Sequence, residues 1–150
     1  MHFIEKEVNR LVKKHKTRDP FELCRLENIQ CMFVDMNSEI NGMYQYVKRN
    51  KFAYINNNLS SRKQAYTCGH ELAHAILHPK VNCAFLRNHT YLNTNKLERE
   101  ADMFLAVLMI PKVTKEMFYE RSFDEVACEL DVPKDLLELR LQVARCGGDF

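Results

Sequence analysis

The sequence lacks any marked excess of charge, since 22 Lys and Arg stand against 20 Asp and Glu for a formal charge of +2. Such a balance leaves no broad electrostatic footprint for nucleic acid or a membrane surface, so neither is expected as a partner. It also lacks a long hydrophobic run. The longest, Met103 to Ile110, is too short to cross a bilayer, and the opening MHFIEKEVNR has acidic residues where a secretory signal needs an apolar stretch. A cytoplasmic protein is therefore expected. No C-x-x-C pair occurs among the six cysteines, Cys24, Cys31, Cys68, Cys83, Cys128 and Cys146, which removes zinc-knuckle and thioredoxin readings. A chain of 150 residues that is 46% apolar can build a core without a disulfide framework, so reduced thiols are expected. Cys68, two residues before His70, reads as a small buried hydrophobe. Internal repeats, low-complexity tracts and linkers are missing too, and 28% charged residues is ordinary for a globular chain. One domain over residues 1–150 follows.

What is present is a succession of amphipathic segments. Phe3, Ile4, Val8, Leu11 and Val12 recur at helical spacing, and Asp19-Pro20 offers an N-cap with proline at the first helical position. Residues 30–35, 42–48 and 51–56 are rich in β-formers, with Arg49-Asn50 as the turn between the last two, and predict a small antiparallel sheet. Ser61 with Gln64 resembles a capping box for a helix that Pro79 ends. Residues 79–95 read as a loop, and Lys96 to Ile110 as a mostly buried helix ended by Pro111. Ser122 and Asp131-Pro133 frame two further short helices, making 112–150 a helical, helix-turn-helix-like subregion. The fold class expected is α+β: mostly helical, with a small antiparallel sheet packed against the helix carrying residues 70–74.

Those residues read HELAH. Histidines at i and i+4 project from one helical face about 6 Å apart, so one metal can bridge His70 and His74. Glu71 is rotated about 100° from His70, beside a metal rather than on it, where it can take a proton from the attacking water. Both histidines could instead be polar decoration of an amphipathic helix. Cys68-Gly69 before them and Leu72-Ala73 between them indicate burial, however, and buried imidazoles need partners. Two imidazoles, one carboxylate and an open fourth position match a catalytic zinc site.

The carboxylate must come from elsewhere, and the 96–110 helix offers Glu98, Glu100 and Asp102. Glu98 and Asp102 share a face, so one can bind metal while the other accepts the remaining N–H of a ligating histidine. Glu100 points away and is expected in solvent, pairing with Lys96 or another surface cation. His78 continues the i, i+4, i+8 series but lies about 12 Å along the helix from His70, too far to share a metal. It is expected to meet the helix's last carbonyls. His89 and Tyr91 are weaker candidates for stabilising an oxyanion, and residues 51–56 for holding an extended substrate as an added strand.

With these residues in place, the sequence resembles the ImmA/IrrE family of bacterial and phage metallopeptidases. DPFELCRLENI, GMYQYVKRNKFAYINNNLS, CGHELAHAILHP and EREADMFLAVLMIP carry the likeness over most of the chain. The last follows the family form E-x-x-A-[ND]-x-F-A-x-x-L-L-M-P through Glu98, Ala101, Asp102, Phe104, Leu108 and Pro111. It departs at Leu105 and at Met109-Ile110, which alter core volume rather than chemistry. The resemblance implies a gluzincin-like peptidase fold, zinc as the cofactor, Glu98 as the third ligand and a helix-turn-helix repressor of a prophage, mobile element or stress regulon as the substrate.

Two other functions compete. One is a non-catalytic zinc-containing antirepressor that binds and sequesters the repressor, against which Glu71 speaks, because a structural zinc site has no use for it. The other is a DNA-binding regulator built on residues 112–150, whose would-be recognition helix carries Asp135 and Glu138 against phosphate.

Overall fold

The structure is a computed structural model that describes residues 1–86, 95–148 and 150. Its elements run α1 (Phe3–His15), α2 (Pro20–Leu26), β1 (Ile29–Val34), β2 (Ile40–Val47), β3 (Asn50–Asn56), α3 (Ser61–Leu77), β4 (Cys83–Leu86), α4 (Lys96–Met109), α5 (Phe123–Leu130) and α6 (Lys134–Cys146), with one 3-10 turn at Lys115–Phe118. The expected mostly helical α+β class is found. The Asp19 carboxylate accepts a hydrogen bond from Phe21 N at 3.0 Å, with Pro20 opening α2.

The sheet differs from the expected all-antiparallel one. Its order is β1-β3-β2-β4, and β1 runs parallel to β3. After the β2–β3 hairpin the chain returns between the first two strands, so the β1–β2 partners that sequence order suggests are separated by β3. The hairpin closes through Lys48-Arg49, at φ 50° and 66°, with Asn50 already paired to Val47. A two-residue loop with both residues left-handed matches strand twist, which places the turn one residue before Arg49-Asn50. Buried Asn56 holds the β1–β2 connection by donating to Ile40 O at 2.9 Å and, more weakly, to Met36 O and Asn37 O. β3 is thus an inner strand with no edge to lend a substrate, contrary to the sequence reading. Another departure is β4, a strand where only loop was expected. It is paired antiparallel to β2.

Helix α4 is the hub. Ala101 to Leu108 are all buried, apolar apart from Asp102, and α4 packs against α1, α3 and α6. Its end is tied by two arginines: Arg18 donates to Val107 O and Leu108 O, each at 3.0 Å, and Arg140 Nε to Ile110 O at 2.7 Å. Arg140, 3% exposed, also donates to Glu5 at 2.9 Å, joining α6 to α1. Helix α6 buries Leu136, Leu137, Leu139, Arg140, Leu141, Val143 and Ala144. Much of the surface a recognition helix would offer is therefore spent on packing. No helix among the described residues is long and apolar enough to cross a membrane.

Close approach of α3 and α4 depends on Gly69. A Cβ there would stand 2.6 Å from Leu105 Cδ1. This contact brings the start of α4, with its acidic residues, over the histidines of α3.

Candidate active site

Helix α3 begins after Ser60, whose hydroxyl accepts from Lys63 N at 3.3 Å, one residue earlier than the Ser61 cap expected. From Thr67 to Ala75 every residue is buried, so the helix presents His70, Glu71 and His74 inside the protein. Across from it, Asn95 caps α4 by accepting from Leu97 N and Glu98 N. Glu98 therefore sits in the first turn, where the helix dipole favours a carboxylate.

His70, His74 and Glu98 come together, with a donor atom of each within 4.8 Å of the others. His70 Nε2 is 3.1 Å from Glu98 Oε2, His74 Nε2 is 3.0 Å from Glu98 Oε1, and the two Nε2 atoms are 3.1 Å apart. Behind the cluster, His70 Nδ1 lies 2.9 Å from Asp102 Oδ1. A carboxylate only accepts, so Nδ1 carries a hydrogen, which leaves Nε2 as the nitrogen that faces the cluster. Asp102 is fully buried and stands one turn after Glu98, as their shared face requires.

Charge at the cluster is strongly coupled. Burial opposes a charged His70, but hydrogen bonds to Asp102 and Glu98 and the nearby Glu71 carboxylate outweigh it and raise its pKa to about 10. Burial lowers His74, with the His70 charge adding to that and Glu98 opposing it. Burial likewise disfavours ionised Glu98, but its bonds to both imidazoles hold the carboxyl well below the usual range. Glu71 is raised to about 8, by burial first; His70 pulls it down and Glu98 pushes it further up. Among the described residues neither Glu71 oxygen has a hydrogen-bond partner, although the side chain is completely buried.

A divalent metal fits this donor set. Imidazole nitrogens and carboxylate oxygens facing one another at 3.0–3.1 Å repel unless a proton or cation lies between them. Tetrahedral coordination at 2.0–2.2 Å per ligand asks for ligand separations of about 3.4 Å, close to those present. The Glu71 oxygens, without a partner among the described residues, add a second sign, because a fully buried carboxylate so placed is a costly arrangement that folding alone does not favour.

Two residues that sequence reasoning set aside lie directly behind His74. His78, 8% exposed, places Nδ1 3.1 Å from His74 Nδ1, and its Nε2 is 3.0 Å from Glu100 Oε2. Glu100 is thus not out in solvent with Lys96, and His78 does more than meet the end of α3: its backbone N–H caps His74 O at 2.8 Å while its ring touches the site histidine. Tyr44 was also missed. Its ring stacks on His74 with centroids 6.5 Å apart, and its hydroxyl donates to Pro79 O. His89 and Tyr91 lie outside the described residues.

Strand β2 floors the site through Gly42, where an added Cβ would lie 2.5 Å from Thr67 Cγ2, 2.6 Å from Tyr54 O and 3.5 Å from Glu71 Oε1. Since the Tyr54 oxygen belongs to the backbone, the sheet itself must shift. Gly42→Ala is expected to cost about 1–3 kcal/mol, read as a lower urea midpoint at unchanged slope. An unchanged midpoint would show that β2 moves freely against α3.

Comparisons with known proteins identify the family. The family described as Peptidase M78, IrrE N-terminal-like domain, matches residues 24–142, a span that contains the whole cluster. A protein of Bacillus phage phi105 named uncharacterized immunity region protein 2 is 37% identical over 139 residues, covering 91% of this chain and 88% of its own. The metallopeptidase ImmA of Bacillus subtilis (strain 168) is 27% identical over 142 residues, covering 92% and 83%.

Proposed function

The chain belongs to the IrrE N-terminal-like family of M78 peptidases, and on that footing we propose that it is a zinc-dependent endopeptidase, with His70, His74 and Glu98 as ligands and Glu71 as general base. The observation that carries the proposal is the convergence of the two Nε2 atoms on the Glu98 carboxylate beside a buried Glu71 that has no partner among the described residues. Zinc held there would lower the pKa of water and polarise the scissile carbonyl.

The remaining chemistry belongs to the chain's own residues. Asp102 holds His70 with Nε2 turned inward. Glu71 takes a proton from the attacking water and returns it to the leaving amine. Gly42 and Thr67 pack against the Glu71 region and help exclude bulk water. Among the described strands the sheet edges are β1 and β4, and β4 lies beside the β2 strand that carries Tyr44 against His74. An extended substrate is therefore assigned to β4 in place of β3.

The substrate we propose is a helix-turn-helix repressor encoded beside this chain. The family resemblance supports it, as does the phage relative named for an immunity region. Docking, rather than DNA binding, is the role assigned to the 112–150 region, whose α6 is largely committed to the core.

The test is metal-dependent cleavage. Purified protein is expected to carry about one zinc per chain, to lose repressor cleavage on treatment with a chelator and to recover it when zinc is returned. Cleavage that survives complete zinc removal would refute the proposal. Asp102→Ala is expected to weaken zinc affinity and activity about 10- to 100-fold while the fold persists. Wild-type values in that variant would make Asp102 a bystander.

A further inference from the structure

We propose that His78 and Glu100 form a relay that positions His74, a counterpart on the second histidine to what Asp102 does for the first. The inference rests on the metal-site reading above, and it adds two positioning residues to it. The chain of contacts is short and largely buried: Glu100 Oε2 to His78 Nε2 at 3.0 Å, His78 Nδ1 to His74 Nδ1 at 3.1 Å, and His74 Nε2 to Glu98 Oε1 at 3.0 Å.

Only one placement of hydrogens satisfies every member. The Glu100 carboxylate accepts, so His78 Nε2 must donate to it. In the neutral imidazole the opposite nitrogen is then an acceptor, which leaves His78 Nδ1 to receive a hydrogen from His74 Nδ1. His74 so arranged turns the lone pair of Nε2 toward Glu98 and His70, which a metal ligand requires. The reverse arrangement, with His78 Nδ1 donating, would put a hydrogen on His74 Nε2 and aim it into the cluster. It would also leave Glu100 facing a lone pair. Glu100 thus selects the tautomer of His74 across an intervening ring.

Local structure supports a built relay. His78 is the C-cap residue that follows α3, its backbone N–H on His74 O at 2.8 Å, so its ring is fixed beside the residue one turn earlier. The rings of His74 and His78 lie 5.3 Å apart at 51°. On its other face His74 meets Tyr44. Glu100 reaches the relay from α4, only two residues from the ligand Glu98, so a single helix turn supplies both a metal-facing carboxylate and the anchor of the relay.

The experiment compares His78→Phe, Glu100→Ala, Glu100→Gln and Lys96→Ala with wild type, reading zinc affinity by competition with a chromophoric chelator. A second reading follows the His74 ring in zinc-loaded, 15N-histidine-labelled protein by NMR. His78→Phe keeps a ring but no acceptor, and Glu100→Ala removes the anchor; each is expected to weaken zinc about 10- to 100-fold, as loss of an outer partner does. Glu100→Gln keeps an oxygen that can accept from His78 and should recover most of the affinity without the charge. Lys96→Ala, at the surface partner that sequence reading gave Glu100, should match wild type. The His74 Nδ1 proton is expected to exchange slowly with water in wild type and Glu100→Gln, and fast in Glu100→Ala and His78→Phe. Zinc binding by wild type with undiminished affinity and slow exchange in both relay variants would overturn the relay while leaving the metal site standing. Glu100→Gln as weak as Glu100→Ala, or Lys96→Ala equally weak, would also overturn it, because charge near the start of α4 would then explain the effect. A wild-type chain that binds no zinc would sink the metal-site reading itself, and the relay with it.

Discussion

Glu98→Ala is expected to strip the metal from the protein: zinc affinity should fall by more than about 100-fold, beyond the upper range for loss of an outer partner, because a direct ligand is gone. The reason lies in how the three donors are supplied. His70 and His74 come from one helix and are fixed by its geometry, but among the described residues Glu98 is the only carboxylate that touches both Nε2 atoms, at 3.1 and 3.0 Å. Without it two imidazoles remain, each already committed at Nδ1 to another residue, and two neutral ligands hold zinc poorly. The fold should survive better than the site does, since Glu98 is partly exposed in the first turn of α4 and the core of that helix starts at Ala101. His70→Ala and His74→Ala should lose metal comparably, at greater cost to packing because both side chains are buried. Metal content measured after gel filtration decides the matter. Full zinc occupancy in Glu98→Ala would mean that another group is the third ligand.

How much of this could be read in the sequence depended on whether a feature was local. HELAH fixes two imidazoles on one helical face by periodicity alone, and the spacing of Glu98 and Asp102 fixes their shared face; both are helical arithmetic, and the structure places those side chains accordingly. Caps and turns came out within a residue, with Ser60 in place of Ser61 and Lys48-Arg49 in place of Arg49-Asn50. The sheet was read less well. Nothing in three β-rich segments says that the third returns between the first two, because pairing order is decided by long-range packing and by contacts such as Asn56 to Ile40. β4 is only four residues long, too brief for a period to register. The relay was missed for a different reason. The i, i+4, i+8 spacing of the histidines rules out a shared metal by distance, but a ring one turn from His74 needs only to touch that ring. Glu100 was sent to solvent by its angle on α4, and the sequence does not reveal that the end of α3 comes over to meet it.

Glu71→Gln is expected to abolish cleavage while sparing everything else, and so it separates an enzyme from a zinc-containing antirepressor that only binds. The side chain is fully buried, has no hydrogen-bond partner on either oxygen among the described residues, and lies beside the cluster without being one of its donors. Glutamine keeps its size and an oxygen but cannot take up a proton, so fold, zinc content and repressor binding should persist while the rate falls about 100- to 10,000-fold, the range expected for loss of general acid–base catalysis. An antirepressor would not need that proton. The deciding measurement is made in cells expressing the repressor encoded beside this chain, together with either wild type or Glu71→Gln under inducing conditions, following the repressor by immunoblot. The expected result is two discrete repressor fragments with wild type and intact repressor, still bound, with Glu71→Gln. Equal derepression by both proteins, with the repressor whole in each, would contradict the peptidase account.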